Sequence, residues 1–255
     1  MSRCAYLDLD GTLLGPGGSL LTEDGRSHSD AAVRALGLLR EHDVPVVLVS
    51  GRSRVRLEAV AIAVGADGAL AEMGALDVGY PTASGQTVHE AIVATGLPRR
   101  LLEREDGLEV HPLAAAGGRE GSYVVRGRAG PDAGAWIASE SDGSLRLADN
   151  GHIGGGHHVY HLLPAAASKA RAVELDLERR GLDGRHSLAV GDSRQDLDMG
   201  RAVGTVAIVA NGAEADTEVA GAAPWVTAGR HGRGVLEAVG AWLEGTAPQA
   251  GNERA

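Results

Sequence analysis

Short apolar runs alternate with amphipathic stretches at both ends of this 255-residue chain, and one long segment of different character interrupts them. From Arg3 to Leu9 an apolar run ends abruptly in Asp-Gly-Thr, the way a buried parallel strand delivers its last residues to a sheet edge. Leu14 to Gly25, rich in Gly, Ser and Pro, reads as a loop or short hairpin. Ser29 or Asp30 can cap a helix through His42, with Val33, Leu36, Leu39 and Arg40 on one face. Val44 to Val49 is a second buried strand ending at Ser50-Gly51-Arg52, followed by a helix over 53–64 and a strand near 69–72. The alternation resumes with a helix over 167–180, a strand over 187–190, a helix over 196–203 and a strand over 205–209. A short strand at Trp225 and Val226 and a helix over 231–243 complete it. Strands linked through helices in this way predict a doubly wound parallel α/β sheet with right-handed crossovers.

Between 82 and 164 the pattern becomes strand-like runs, Glu109 to Leu113, Ser122 to Arg126, Ser144 to Leu147 and His158 to Leu163, separated by Gly-rich turns. This predicts an inserted α+β domain, which makes the core discontinuous, 1–81 with 165–245. The polar tail over 246–255 is expected to be disordered.

Composition narrows the partners. A net charge of −10 argues against nucleic acid, which is held by clustered Lys and Arg, but leaves room for small anions met by a local donor cluster or a metal ion. The single cysteine, Cys4, rules out an intrachain disulfide and suits a reducing cytoplasm. No run approaches the roughly 18 apolar residues of a membrane span, and no cationic-then-apolar leader opens the chain, so neither membrane insertion nor secretion is expected. A monomer or homodimer fits these features equally.

Asp8-Leu9-Asp10-Gly11-Thr12 places two carboxylates at i and i+2 at the mouth of a strand, where they repel unless a cation or anionic chemistry uses them; a hard divalent ion is the natural partner. Ser50-Gly51-Arg52 offers a hydroxyl and a helix start suited to phosphate oxygens. Lys169 lies in the first turn of a helix, and Gly191-Asp192-Ser193-Arg194-Gln195-Asp196 closes another apolar strand with two more acids. In isolation each reads as an acidic turn, a common Ser-Gly turn, a surface lysine or a capped helix. Their order along one sheet edge is what singles them out.

In that order the chain resembles the haloacid dehalogenase (HAD) superfamily of phosphatases, whose four motifs match at Asp8 to Leu14, Ser50, Lys169 and Gly191 to Asp196. The insertion between the second and third motifs resembles the C2-type cap of the Cof-like branch over a Rossmann-like core. The resemblance implies that Asp8 is the nucleophile, forming an aspartyl phosphate, and Asp10 the acid and base. It implies Mg²⁺ as cofactor, held by Asp8, the Asp10 carbonyl and Asp192, with Asp196 orienting metal waters or Lys169. Lys169 would add positive charge and Ser50 a hydrogen bond to a phosphoryl oxygen. Gly51, Arg52, His111, Arg119, Arg126 and His161 are the candidate substrate-binding residues.

Two positions depart from the branch's common pattern: Gln195 and Met73 stand where many relatives carry Asn. The second bears on substrate choice. His152, His157, His158 and His161 lie close in sequence and raise a transition-metal site as an alternative to alternation on a half-exposed strand. The substrate implied is a small phosphorylated metabolite, a sugar phosphate or a phosphoglycerate-type glycoside. Phosphoryl transfer to another acceptor, as in a phosphomutase or phosphotransferase, and a non-catalytic phospholigand-binding regulator are the competing readings.

Overall fold

The computed structural model describes residues 3–115, 118–153 and 155–248. The chain divides into two compact units, Met1–Ser50 with Leu57–Leu70 and Lys169–Ala255, and Gly51–Arg56 with Ala71–Ser168. The strand and helix pattern predicted divisions near 82 and 164; the contacts place 71–81 and 165–168 with the inserted unit.

In chain order, the elements begin with β1 (Ala5–Asp8), α1 (Ala31–Glu41), β2 (Val46–Val49), α2 (Arg54–Val64) and β3 (Gly68–Leu70). The inserted unit adds α3 (Val88–Ala94), α4 (Leu97–Arg104), β4 (Leu108–Val110), α5 (Pro112–Ala115), β5 (Tyr123–Gly127), α6 (Ala133–Glu140), β6 (Leu145–His152) and β7 (His158–Pro164). The core unit then continues with α7 (Lys169–Arg180), β8 (Leu188–Gly191), α8 (Arg194–Leu197), β9 (Thr205–Ile208), α9 (Ala210–Ala215), α10 (Thr217–Ala222) and α11 (His231–Leu243).

The core sheet is parallel, in the order β3-β2-β1-β8-β9. Every residue of β1, β2, β8 and β9 is buried, as expected of parallel strands covered on both faces. The chain winds outward from β1 through β2 to β3, then returns to β8 on the other side of β1. The switch point therefore lies between β1 and β8, where ligands bind at the carboxyl ends of such sheets. Register pairs Asp8 with Val49 and Leu7 with Val190, which brings Asp8, Ser50 and Asp192 to one edge.

Local differences from the sequence reading have physical causes. On α1 the buried residues are Ala31, Ala32, Ala35 and Leu39, while Val33 is exposed. Helix α11 approaches so closely that a Cβ on Gly232 would stand 2.8 Å from that of Ala32, and only alanines fit such a seam. The predicted strand Glu109 to Leu113 stops at Val110 because Pro112, which has no N–H to give a ladder, opens α5 instead. The predicted helix over 196–203 starts earlier, at Arg194, under a Ser193 capping box, and tightens to a 3₁₀ turn over Asp198–Arg201. Val226 contributes a single parallel bridge to Ile208. Thr246 and Ala247 are bonded to the Ala241 carbonyl, so the expected tail does not begin at 246; residues 249–255 lie outside the described residues.

The inserted unit is built on an antiparallel sheet, β4-β5-β7-β6. Leu108, Val125, Leu145 and Leu162 pack with Ile92, Leu97, Leu101 and Ile137 of α3, α4 and α6. Strand alternation turns Val124, Ala148, His161 and Leu163 to the other face, where Ala148 and Leu163 pack with Met73, Ala75 and Ala167.

Candidate active site

The carboxyl edge of β1 ends in Asp8, 4% exposed, and Lys169 opens α7 at 2% exposed. The ammonium Nζ donates to Asp8 Oδ1 at 2.6 Å and to Asp196 Oδ1 at 2.7 Å. Asp196 has no exposed surface, and its second oxygen accepts from the Ser193 N–H at 3.0 Å, the Ser193 hydroxyl at 2.5 Å and the Asp192 N–H at 3.3 Å. Asp196 thus fixes Lys169 with one oxygen and the Asp192-Ser193 turn with the other.

Oxygens of Asp8, Asp192 and Asp196 lie within 4.8 Å of one another. Three carboxylates around one ammonium leave an excess of two negative charges in a pocket shielded from water. Burial pushes the Asp8 carboxyl up to about 7 against the pull of Lys169, and burial with the charges of Asp8 and Asp196 drives Asp192 above the usual carboxylate range. Burial opposes the Lys169 ammonium, but Asp196 and Asp8 outweigh it and its titration moves up. A divalent cation would cancel the excess. Asp8 Oδ2 is buried with no hydrogen-bond partner, as is the hydroxyl of Thr12. Hard oxygen donors, the surplus charge and an unpartnered Asp8 oxygen all fit a hard divalent cation, for which Asp8 and Asp192 offer carboxylates. Asp196, with both oxygens taken, fits the orienting role.

Gly11 shapes the loop after Asp8. Its φ of +87° is left-handed, and a Cβ there would lie 2.1 Å from Asp192 Oδ2. Asp10 is exposed beside it. Ser50 is buried at the end of β2, its N–H bonded to the Leu70 carbonyl at 3.0 Å. Asp8, Ser50, Lys169, Asp192 and Asp196 all belong to the core unit.

The remaining candidates belong to the inserted unit. Arg119 Nη1 donates to the Gly51 carbonyl at 2.7 Å and lies 3.7 Å from Glu72 Oε2. The Arg52 carbonyl accepts from the Glu72 N–H at 3.0 Å. Glu72, absent from the sequence candidates, is fully buried and accepts from the N–H groups of Glu120 and Gly121 and the hydroxyl of Ser122. Ser122 Oγ lies 3.3 Å from His161 Nδ1, so Gly51, Arg119 and His161 join one buried network centred on Glu72. Arg126 instead pairs with Glu109 on the surface. His111 Nδ1 accepts from the Leu113 N–H at 3.2 Å, and burial with the charges of Arg119, Arg126 and Arg56 holds its pKa below the ordinary range. Among the described residues no histidine metal cluster forms: His158 lies 2.8 Å from Asp149 and His161 faces Ser122, while the His152 side chain lies outside the description.

Asn211 and His231, which both reach the Gly11 carbonyl, also went unmarked in the sequence. Asn211 had a signal, a polar residue just past the carboxyl end of an apolar strand. His231 had none.

Comparison with known proteins agrees with this geometry. A haloacid dehalogenase-like hydrolase family matches residues 147–239. The phosphoglycolate phosphatase of Methanothermobacter thermautotrophicus is 28% identical over 244 residues, covering 93% of this chain and 97% of that one. That of Archaeoglobus fulgidus is 35% identical over 95 residues, 37% of this chain and 39% of that one. A haloacid dehalogenase-like hydrolase from Bacteroides thetaiotaomicron superposes with a TM-score of 0.65 at 18% identity, over 94% of this chain and 99% of that one. The sucrose-phosphatase of Synechocystis gives 0.65 at 15% identity, over 95% and 99%. The parallel core with its inserted antiparallel sheet and these matches together support a haloacid dehalogenase superfamily phosphatase of the Cof-like branch.

Proposed function

We propose that this phosphatase is a Mg²⁺-dependent phosphomonoesterase that works through an aspartyl phosphate on Asp8, with 2-phosphoglycolate or a similarly short phosphorylated acid as substrate. The observation that carries the reading is the buried Lys169, bonded to Asp8 and Asp196 beside Asp192 at the sheet's switch point.

With Oδ1 held by Lys169, the Asp8 carboxylate is oriented for in-line attack on phosphorus. An Asp8 oxygen forms the new P–O bond as the bond to the leaving oxygen breaks, and Asp10 gives that oxygen its proton. Asp10 then takes a proton from water, whose oxygen attacks the same phosphorus; Asp8 leaves as a carboxylate and inorganic phosphate is released. Lys169 keeps its proton throughout, because two carboxylates stabilise it, and so offers a fixed positive charge to the phosphoryl oxygens. Mg²⁺ at Asp8 and Asp192 would offset the repulsion between carboxylate and phosphate. Ser50 supplies a hydroxyl for a phosphoryl oxygen.

The substrate class rests on the relatives named phosphoglycolate phosphatase, which narrows the sugar phosphates and glycosides expected from sequence. A cytoplasmic setting rests on the single cysteine, Cys4, which allows no intrachain disulfide. Among the described residues no helix is long and apolar enough to cross a membrane. Phosphate release from a panel of phosphorylated acids and sugars, with Mg²⁺ or with a chelator, tests the proposal. Metal-dependent release, fastest from 2-phosphoglycolate, is expected; equal release with chelator would remove the metal, and preference for sugar phosphates the substrate class.

A further inference from the structure

Gly11 follows Asp10, and its carbonyl oxygen is gripped by two side chains from distant parts of the core unit. Asn211 Nδ2 donates to it at 2.8 Å, and His231 Nδ1 lies 2.8 Å from it. A carbonyl only accepts, so His231 carries a proton on Nδ1. The two grips are themselves joined, because the His231 N–H donates to Asn211 Oδ1 at 2.9 Å. This leaves Asn211 one orientation, amide nitrogen toward Gly11 and oxygen toward His231.

The brace has a second footing. Gly212, next to Asn211 in α9, runs so close to Asp192 that a Cβ on it would stand 2.1 Å from the Asp192 carbonyl oxygen. Asp192 in turn presses its Oδ2 against Gly11. The loop carrying Asp8 and Asp10, the turn carrying Asp192 and the starts of α9 and α11 thus form a closed set of contacts. His231 holds its place with a φ of +45°, which a non-glycine residue seldom adopts. Strain of this kind persists where surrounding bonds enforce it, and here they run to the Gly11-Thr12 peptide, one residue past Asp10.

We propose that Asn211 and His231 are positioning residues, which clamp the Gly11-Thr12 peptide, one residue past Asp10, so that the Asp10 carboxyl is presented to the leaving oxygen. The proposal rests on the phosphatase reading and on Asp10 as its acid. Neither residue need touch substrate. Its signature is dependence on the leaving group, since an alkyl oxygen needs a proton to depart and p-nitrophenolate does not.

The test uses full-length H231G and N211A with the wild type, comparing kcat/KM for the best alkyl phosphate of the panel and for p-nitrophenyl phosphate, with unfolding midpoints alongside. Glycine accepts the left-handed backbone at 231, so H231G should unfold no earlier than wild type while losing one grip. Both variants should lose about tenfold on the alkyl phosphate and less than about twofold on p-nitrophenyl phosphate. Parallel losses on the two substrates, or none, in an active background overturn the clamp and leave the phosphatase reading standing. A wild type that hydrolyses neither substrate overturns that reading, and the clamp with it. Should H231G unfold early, N211A carries the comparison.

Discussion

Replacing Lys169 by methionine removes one charge from the most tightly balanced pocket of the core unit at nearly constant volume. The ammonium is 2% exposed and is the shared counter-ion of Asp8 and Asp196 at 2.6 and 2.7 Å. Taking one partner from a buried ion pair costs about 3–5 kcal/mol, because the charge left behind is desolvated and uncompensated. At roughly 2–4 °C per kcal/mol for a chain of this size, the unfolding midpoint should fall by about 10 °C near pH 7.5 with a chelator present.

The loss should shrink in acid. Asp8 titrates near 7 in the folded protein, above the ordinary carboxylate value of 3.8. Between those values the folded chain binds more protons than the unfolded one, so stability falls as pH rises through the window and recovers as it falls. Without Lys169 the carboxylates hold protons still more strongly, and K169M should regain most of its midpoint near pH 5. Lys169 itself is shifted up, so its contribution in the wild type is present across this range and is lost only in strong alkali. Scanning calorimetry at the two pH values reads the difference directly. A midpoint within about 2 °C of wild type at both, or an equal fall at both, would show that Lys169 is not the counter-ion of this pocket.

Two substitutions probe other parts of the account. Gly11→Ala puts a Cβ 2.1 Å from Asp192 Oδ2 on a left-handed backbone and should cut kcat by about 100-fold, as a misplacement of order 1 Å does; steady-state kinetics decides, and a kcat near wild type would free Gly11 of its role. Glu72→Gln turns an amide N–H₂ toward donors from Glu120, Gly121 and Ser122, and should destabilise the inserted unit by about 1–3 kcal/mol, read as faster hydrogen exchange over 119–122.

The candidate site of the core unit was legible because Asp8, Ser50 and Asp192 stand at or just past the ends of strands and Lys169 opens a helix. Apolar runs of four to seven residues that stop at Asp8, Ser50 and Asp192 mark buried parallel strands and their carboxyl ends together. Lys169 could be placed by order alone, yet nothing in its neighbourhood tells a buried lysine from a surface one. The second function of Asp196, holding the Asp192-Ser193 turn, is a tertiary fact with only a capping pattern as its trace.

What stayed hidden has a common cause. Glu72 accepts from residues about 50 positions away, and His231 reaches back 220 positions to Gly11, so local periodicity carries no record of either. Their backbones are also unusual, with φ of +50° at Glu72 and +45° at His231, and non-glycine side chains give no warning of that. Val33 misled for the opposite reason. Its hydrophobicity suggested burial, but the close seam between α1 and α11 selects alanine and leaves the larger side chain outside.

The central claim is that Asp8 receives the phosphoryl group, and acid-quenched single-turnover mass spectrometry tests it most directly. With Mg²⁺ and 2-phosphoglycolate, the peptide containing Asp8 should gain the mass of one phosphoryl group during turnover and lose it as phosphate appears. Asp8→Asn, nearly isosteric but a poor nucleophile, should show neither the adduct nor phosphate release while keeping a cooperative unfolding transition. Phosphate release from the wild type with no adduct on that peptide, or continued turnover by Asp8→Asn, would contradict the account.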